Sequence, residues 1–327
     1  MVTGFRVSQA LSVAADLGLS DQLAGGPRTV ADLARAVSVD EDTLRRLLRA
    51  LATVGVYAEQ RDDSYANTEL SDALRDDVPG SIRPLARTLQ DPALWAAWGH
   101  LEHSVRTGET AFEALHGMDV WAHRERLPEQ NAIFNDNMAT LSLEAGAAVA
   151  AAYDFSDVAT VVDVGGGKGI VLAAVLEANP HLAGTVFDLA HVVAKAPPDG
   201  ASASVASRWR AESGSFFEAV PTADAYILKS IIHDWHDAES VQILRSCRAA
   251  LNDGGVVLVV EKVLGRPGDE ADAAFSDLNM LVLPGGRERT EAEYAALFAA
   301  AGLQLRTVTD TATRYSIVEA VAAPTNR

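Results

Sequence analysis

The chain has 327 residues, 48% of them hydrophobic and 22% charged, with a formal net charge of −18. That length suffices for two packed domains, and the acidic balance argues against nucleic acid and anionic membranes as partners, since both demand a cationic surface. No apolar run reaches the length of a membrane span, and the N-terminal Met1-Val2-Thr3-Gly4-Phe5-Arg6 lacks a signal-peptide pattern, so a cytoplasmic protein is expected.

In chain order, Phe5–Leu17 reads as an amphipathic helix, with Val7, Leu11 and Ala15 at helical spacing. Thr29 can cap a short helix over Val30–Val37, and Asp40 a second over Glu41–Val54, whose Leu44, Leu47, Leu48 and Leu51 share one face; Gly55 stops it. Two strand-like pieces follow, Val56–Glu59 and Ser64–Asn67, joined by Gln60-Arg61-Asp62-Asp63. Three helices and a small hairpin in this order describe a winged helix. Residues 1–100 carry ten arginines, no lysine and fourteen acids, a balance of −4. Arg45, Arg46 and Arg49 fall on the helix that would read DNA, but Glu41 and Asp42 lie one turn before them and favour solvated ion pairs. Packing and dimerisation are therefore expected of this module, and DNA binding is not.

Pro79–Gln90 and Ala93–Val105 read as helices, and Gln130–Tyr153 as a long one leading into a run of alternating strands and helices. His100 and His103 stand at i, i+3 with no third ligand nearby, so no metal site is expected there. From residue 159 the expected elements are strand Val161–Val164, helix Ile170–Asn179, strand Gly184–Asp188, strand Ala223–Ile232, helix Ala238–Leu251 and strand Gly255–Val263. After the polar loop Gly265–Asp272 come helix Thr290–Ala301, with Thr290 and Glu293 spaced for a capping box, and a hairpin of Gln304–Thr309 and Tyr315–Ala322. The fold class is α/β: a doubly wound, Rossmann-like domain with an antiparallel end, preceded by a mostly α domain. The single cysteine, Cys247, rides a helix with Ile243 and Leu251 at four-residue spacing and is expected in the core.

The chemistry gathers at three places. Val161-Val162-Asp163-Val164-Gly165-Gly166-Gly167-Lys168-Gly169-Ile170 is a buried strand, an acid and a glycine turn that opens a helix. A dinucleotide fingerprint would place its third glycine at 170, which is Ile, and a phosphate loop would follow Lys168 with Ser or Thr. Asp163 precedes the glycines, where it would repel a pyrophosphate but tolerate an ammonium or a sulfonium. Asp188 ends the next strand, 25 residues later, where an acid can accept hydrogen bonds from both hydroxyls of a ribose. His233-Asp234-Trp235 follows a third strand. An imidazole there can take a proton from a phenol-like hydroxyl, provided a carboxylate fixes its tautomer; Glu261 and Glu288 are the candidates. His236, Asp234 and Asp237 could join His233 around a metal, but nothing elsewhere supports such a cluster. Together these features point to methyl transfer from S-adenosylmethionine.

Six segments in this order carry a resemblance: Val161–Gly167, Phe187-Asp188-Leu189, Phe216-Phe217-Glu218, Leu228-Lys229, His233-Asp234-Trp235 and Gly285-Gly286-Arg287-Glu288-Arg289-Thr290. The chain resembles the small-molecule O-methyltransferases that use S-adenosylmethionine and carry a winged-helix dimerisation domain, a group spanning plant caffeic acid and flavonoid enzymes and bacterial tailoring enzymes for aromatic antibiotics. The resemblance implies a homodimer, with residues 1–100 as dimerisation domain and 101–327 as catalytic domain, of which 101–158 form a helical linker and substrate-pocket region. It places Gly165, Gly167 and neighbours at the methionine end of the cofactor, Asp188 on the ribose, and Leu189, Phe216 and Lys229 around the adenine. It makes His233 the general base with Glu261 and Glu288 orienting it, and has Asp234 placing the substrate. Phe134, Asn135 and Met138 match a Phe-Asn-x-x-Met pocket segment, and Asn279 and Met280 would reach the substrate from the opposite side. One departure stands out: the family usually reads Gly-Asp-Phe-Phe where this chain has Gly214-Ser215-Phe216-Phe217. Ser215 would accept the adenine amino group more weakly than an aspartate, which implies looser cofactor binding by about 1–2 kcal/mol. Two rival readings remain at this level: a relative repurposed for hydroxylation or decarboxylation of an aromatic polyketide, and a non-enzymatic ligand sensor.

Overall fold

A computed structural model describes residues 2–78, 80–193, 196–266 and 270–324, with only the backbone of Glu270. Pro79, at the head of one expected helix, and residues 267–269 of the expected polar loop lie outside the described residues. Two compact units are formed, one from residues 1–99 and 121–140, the other from 100–120 and 141–327.

In the first unit the expected caps form. Thr29 Oγ1 accepts from the Asp32 N–H at 3.2 Å and Asp40 Oδ1 from the Thr43 N–H at 2.9 Å, starting helices Val30–Val37 and Glu41–Ala52. The second buries Leu44, Leu48 and Leu51 against a core that includes Leu19, Leu33, Tyr57 and Tyr65. The hairpin Tyr57–Glu59 and Ser64–Asn67 is antiparallel and gains a third strand, Arg28–Thr29. Arg45 turns to Glu41 at 2.6 Å and to Asp63 at 2.8 Å, so that arginine of the supposed reading helix is neutralised within the unit. Further on, helix Arg83–Thr88 is shorter than expected. The helix expected over 93–105 is two, Pro92–Gly99 and Leu101–Thr107. They part at His100, directly after Gly99, the residue with the weakest helix propensity in that stretch.

The second unit is built on a seven-stranded sheet. Its strands are β1 Thr160–Val164, β2 Ala183–Asp188, β3 Trp209–Ser213, β4 Ala223–Lys229, β5 Leu251–Glu261, β6 Leu303–Asp310 and β7 Ser316–Ala322. The order is β6-β7-β5-β4-β1-β2-β3. β1 to β5 run parallel, while β7 pairs antiparallel with both β5 and β6. Val256–Val260 of β5 are all buried, as befits a strand covered on both faces. One face meets helices Asp237–Ala250 and Glu291–Ala300 through Ile243, Leu244, Cys247, Leu297 and Phe298. The other meets helix Ile170–Ala178 through Val171, Leu172, Val175 and Leu176. Because β1, β2, β4 and β5 are parallel, Val164, Asp188, Lys229 and Glu261 all end at one edge, where open α/β sheets place their ligands. A short parallel pair, Val263–Leu264 with Arg289–Thr290, brings the segment around Glu288 to that same edge. Among the described residues no helix is long and apolar enough to cross a membrane.

Candidate active site

The glycine turn after β1 is dictated by backbone geometry. Gly165, Gly167 and Gly169 all take positive φ, at +68°, +55° and +67°, a region costly for residues with a Cβ. Their packing differs. A Cβ on Gly169 would strike the Trp209 ring at 1.9 Å, and one on Gly165 would meet Ile231 Cδ1 at 2.4 Å. A Cβ on Gly167 would find nothing within 4 Å, so there the loop backbone faces open space that a ligand can approach.

The two acids of the sequence reading have separate settings. Asp188 donates nothing and accepts twice, from the Gly167 N–H at 2.9 Å and the Leu189 N–H at 2.7 Å. A carboxylate has about four acceptor positions, so capacity for a pair of hydroxyls remains. Asp163 is different: it is 2% exposed, its carboxylate is tucked beneath Gly166, and it accepts from the Leu172 N–H at 3.3 Å. Burial pushes its pKa up to about 7, with Asp188 adding to the rise. β1 alternation sends the Asp163 side chain toward the start of helix Ile170–Ala178, where it supports the turn from below.

The His233 turn is held from every side. β4 ends at Lys229, Ser230 takes a left-handed φ of 55°, and Ile232–Asp234 form one turn of 3₁₀ helix. Glu261 Oε1 accepts the N–H groups of Ile231, Ile232 and His233 at 3.0, 2.6 and 3.1 Å. Its Oε2 accepts from the Tyr294 hydroxyl. Above the turn, the Arg287 N–H donates to His233 O at 2.8 Å. A Cβ on Gly286 would meet that oxygen at 1.9 Å, so only glycine lets the two segments approach. The ring is gripped by Glu288, whose Oε1 lies 2.9 Å from His233 Nδ1 and also accepts from Ser276 Oγ at 2.7 Å. The sequence offered Glu261 and Glu288 together as orienters; the structure divides them. Glu288 fixes the ring, and Glu261 fixes the backbone beneath it, because its oxygens are engaged by three amides and a phenol.

Electrostatics follow from this packing. Burial alone would strip the proton from His233, but Glu288 and Asp234 outweigh it and raise the ring to about 10. Glu288 thus stabilises the protonated form of the ring, the state reached once a proton has been taken, and its own pKa is lowered, His233 overcoming the cost of burial. With Nδ1 committed to Glu288, Nε2 is the nitrogen left for chemistry; Asp234 Oδ1 lies 3.6 Å from it. Burial depresses Lys229 to about 8, and its Nζ stands 5.2 Å from the Tyr315 ring centre. His233, Glu261 and Glu288 each place one atom within 4.8 Å of the others, a grouping that could hold a metal. The hydrogen bonds just described fit a base with its supports better, since they occupy both Glu261 oxygens, Glu288 Oε1 and His233 Nδ1.

The remaining expected residues fall as follows. Ser215 Oγ accepts from the Phe217 N–H at 3.3 Å, which spends part of its acceptor capacity on its own turn. Phe216 joins Phe217 and Trp235 in an edge-to-face cluster, with ring centres 4.9 and 6.1 Å away. Leu189 is exposed. Asn279 and buried Met280 lie on helix Glu270–Val282, an element the sequence reading passed over. Phe134, Asn135 and Met138 lie on helix Pro128–Ala152 in its first-unit part, where Arg124 stacks 3.5 Å above the Phe134 ring. Three site residues were missed: Arg289, Tyr294 and Ser276. Arg289 stood inside a quoted motif, but its burial could not be read from a charged residue.

Comparison with known proteins agrees with this geometry. Residues 98–304 match the O-methyltransferase domain family and residues 1–77 the O-methyltransferase dimerisation domain. A phenazine O-methyltransferase of Lysobacter antibioticus is 40% identical over 98% of this chain and 94% of its own length. The crystal structure of LaPhzM matches with a TM-score of 0.91 at 39% identity, covering 98% of this chain and 97% of that one. An O-methyltransferase from neocarzinostatin biosynthesis, solved with S-adenosylmethionine and 2-hydroxy-5-methyl naphthoic acid, matches with a TM-score of 0.80 at 35% identity, covering 97% and 96%. The chain belongs to the S-adenosylmethionine-dependent O-methyltransferases that carry an N-terminal dimerisation domain.

Proposed function

We propose that this enzyme methylates a phenolic hydroxyl of an aromatic natural product in bacterial secondary metabolism, with His233 as general base. The observation that carries the reading is the His233–Glu288 pair, buried at the edge where the glycine turn and Asp188 also end. Relatives named for phenazine and naphthoic acid chemistry support an aromatic acceptor, and the dimerisation domain supports a homodimer. Residues 1–100 would dimerise and 101–327 would catalyse.

The residues fit S-adenosylmethionine: an open glycine backbone at Gly167, spare acceptor capacity on Asp188, and the aromatic Phe216 with exposed Leu189 nearby in sequence to the strand ends. Gly165 and Gly167 would hold the methionine end, Asp188 the ribose, and Leu189, Ser215, Phe216 and Lys229 would surround the adenine. When bound, the cofactor supplies an electrophilic methyl group for in-line displacement by the substrate oxygen. His233 Nε2 would take the hydroxyl proton as that oxygen attacks, while Glu288 holds the ring and stabilises the imidazolium. The pair with Glu288 raises the affinity of the ring for a proton, which favours transfer from a phenol, a weak acid with a pKa near 10. Asp234, beside Nε2, would place the hydroxyl, and Asn279 and Met280 would contact the acceptor. Positioning does most of the work.

The test is calorimetric binding of S-adenosylmethionine and S-adenosylhomocysteine with NADH as comparator, followed by a screen of phenols for transfer of a labelled methyl group. Binding of both adenosyl ligands without NADH, and a labelled methyl ether, are expected. Transfer to carbon or nitrogen only, or a hydroxylated or decarboxylated product, would contradict the reading.

A further inference from the structure

The motif Gly285-Gly286-Arg287-Glu288-Arg289-Thr290 supplies Glu288 to the ring, yet its most buried cation is one residue further on. Arg289 is 1% exposed. Its Nη1 donates to Ile232 O at 3.0 Å, and its Nη2 to Trp235 O at 2.9 Å. Those two carbonyls bracket His233 and Asp234. Nη2 also donates to Asp237 Oδ1 at 2.8 Å and to Ser240 Oγ at 3.3 Å. Ser240 Oγ in turn lies 3.3 Å from each of the same two carbonyls, able to donate its one proton to either.

The placement is unfavourable as a simple helix staple. Asp237 begins helix Asp237–Ala250, and a cation at a helix N-terminus opposes the macrodipole. Burying a guanidinium there is costly unless its donors are used. They are used both on Asp237 Oδ1, which Nε and Nη2 meet at 3.2 and 2.8 Å, and on the turn. The N–H groups of that turn point to Glu261 and its carbonyls to Arg289 and Arg287, so its backbone polar groups are pinned from two directions. Arg289 is also covalently next to Glu288. One segment therefore grips the turn that carries the imidazole and presents the carboxylate that meets it, which ties the spacing of the pair to the grip.

We propose that Arg289 is a positioning residue for His233, its planar fork setting the separation of the ring and Glu288 by holding the carbonyls of Ile232 and Trp235. This rests on His233 being the base. A lysine cannot reproduce the fork, because it offers a point charge with no fixed planar geometry.

The experiment compares full-length Arg289→Lys and Arg289→Met with the wild type. The His233 ring is titrated by NMR on histidine-labelled protein, assigned with a His233→Asn variant. S-adenosylhomocysteine binding is measured by calorimetry, and kcat and KM with an acceptor from the phenol screen. For Arg289→Lys we expect binding of S-adenosylhomocysteine within about twofold, a ring pKa lower by about one unit or more, and kcat down by about tenfold to a hundredfold, in line with the cost of misplacing a catalytic group by about 1 Å. Arg289→Met should fall further; should it fail to fold, the lysine variant decides alone. A folded Arg289→Lys with wild-type ring titration and kcat overturns the proposal, as does a lowered melting temperature with an unmoved ring. Failure of the base assignment is distinguishable: His233→Ala would then stay active, whatever the ring does in the arginine variants.

Discussion

Replacing Glu288 with Gln removes one charge from the tightest contact in the site. The carboxylate is fully buried and its Oε1 is 2.9 Å from His233 Nδ1. At an effective dielectric of about 20, two unit charges about 4 Å apart interact by about 4 kcal/mol, equivalent to about three pKa units. The ring, now raised to about 10, should fall by roughly two to three units, toward the ordinary histidine value near 6.5. The acid limb of kcat/KM should move down with it, so the variant reaches its plateau at lower pH than the wild type. The plateau itself should drop by about a hundredfold, because a glutamine amide can donate to Nδ1 and turn the proton to Nε2, the nitrogen needed as acceptor. The assay is a pH profile of labelled methyl transfer at low acceptor concentration. An acid limb that stays where the wild-type limb lies would refute the assignment of that limb to the His233–Glu288 pair.

Stability should report the same pair. Its contribution is complete below about pH 6.5, the unfolded value, and is lost as pH rises toward about 10, where the folded ring gives up its proton. The melting temperatures of wild type and Glu288→Gln should therefore converge between neutral and alkaline pH; a gap that widens there would contradict the pairing. Gly286→Ala forces a methyl group into His233 O at 1.9 Å, and backbone cannot yield cheaply, so transfer should fall by about a hundredfold; near-wild-type transfer would refute the close approach. Ser215→Asp restores a stronger acceptor and should tighten cofactor binding by about 1–2 kcal/mol, measured by calorimetry; unchanged affinity would mean that residue 215 does not meet the adenine.

Much of this arrangement was legible because it depends on short-range rules. Thr29, Asp40 and Thr290 announce helix starts through hydroxyl or carboxylate caps, and all three caps form. The run Gly165-x-Gly-x-Gly169 signals positive φ, and each of the three glycines has it. Strand Trp209–Ser213 left no such signal, since it is an edge strand with only Trp209 buried. Helix Glu270–Val282 has a mixed polar pattern that mimics a loop. The split between Glu261 and Glu288 depends on which atoms a carboxylate reaches across the sheet, and the inward turn of Asp163 on the alternation of a strand whose both faces are covered. Arg289 was hardest: a charged residue is almost never fully buried unless paired, and its partners are backbone carbonyls, which have no sequence signature, with Asp237 and Ser240 about 50 residues away along the chain.

The most direct test of the account is His233→Ala, with S-adenosylhomocysteine affinity and transfer of labelled methyl to a phenol measured on the same preparation. Loss of the positioned base should cost about 10² to 10⁴ in turnover while affinity stays within about twofold, since the ring is not among the groups assigned to the cofactor. A variant that transfers methyl at the wild-type rate would contradict the central claim that His233 removes the substrate proton.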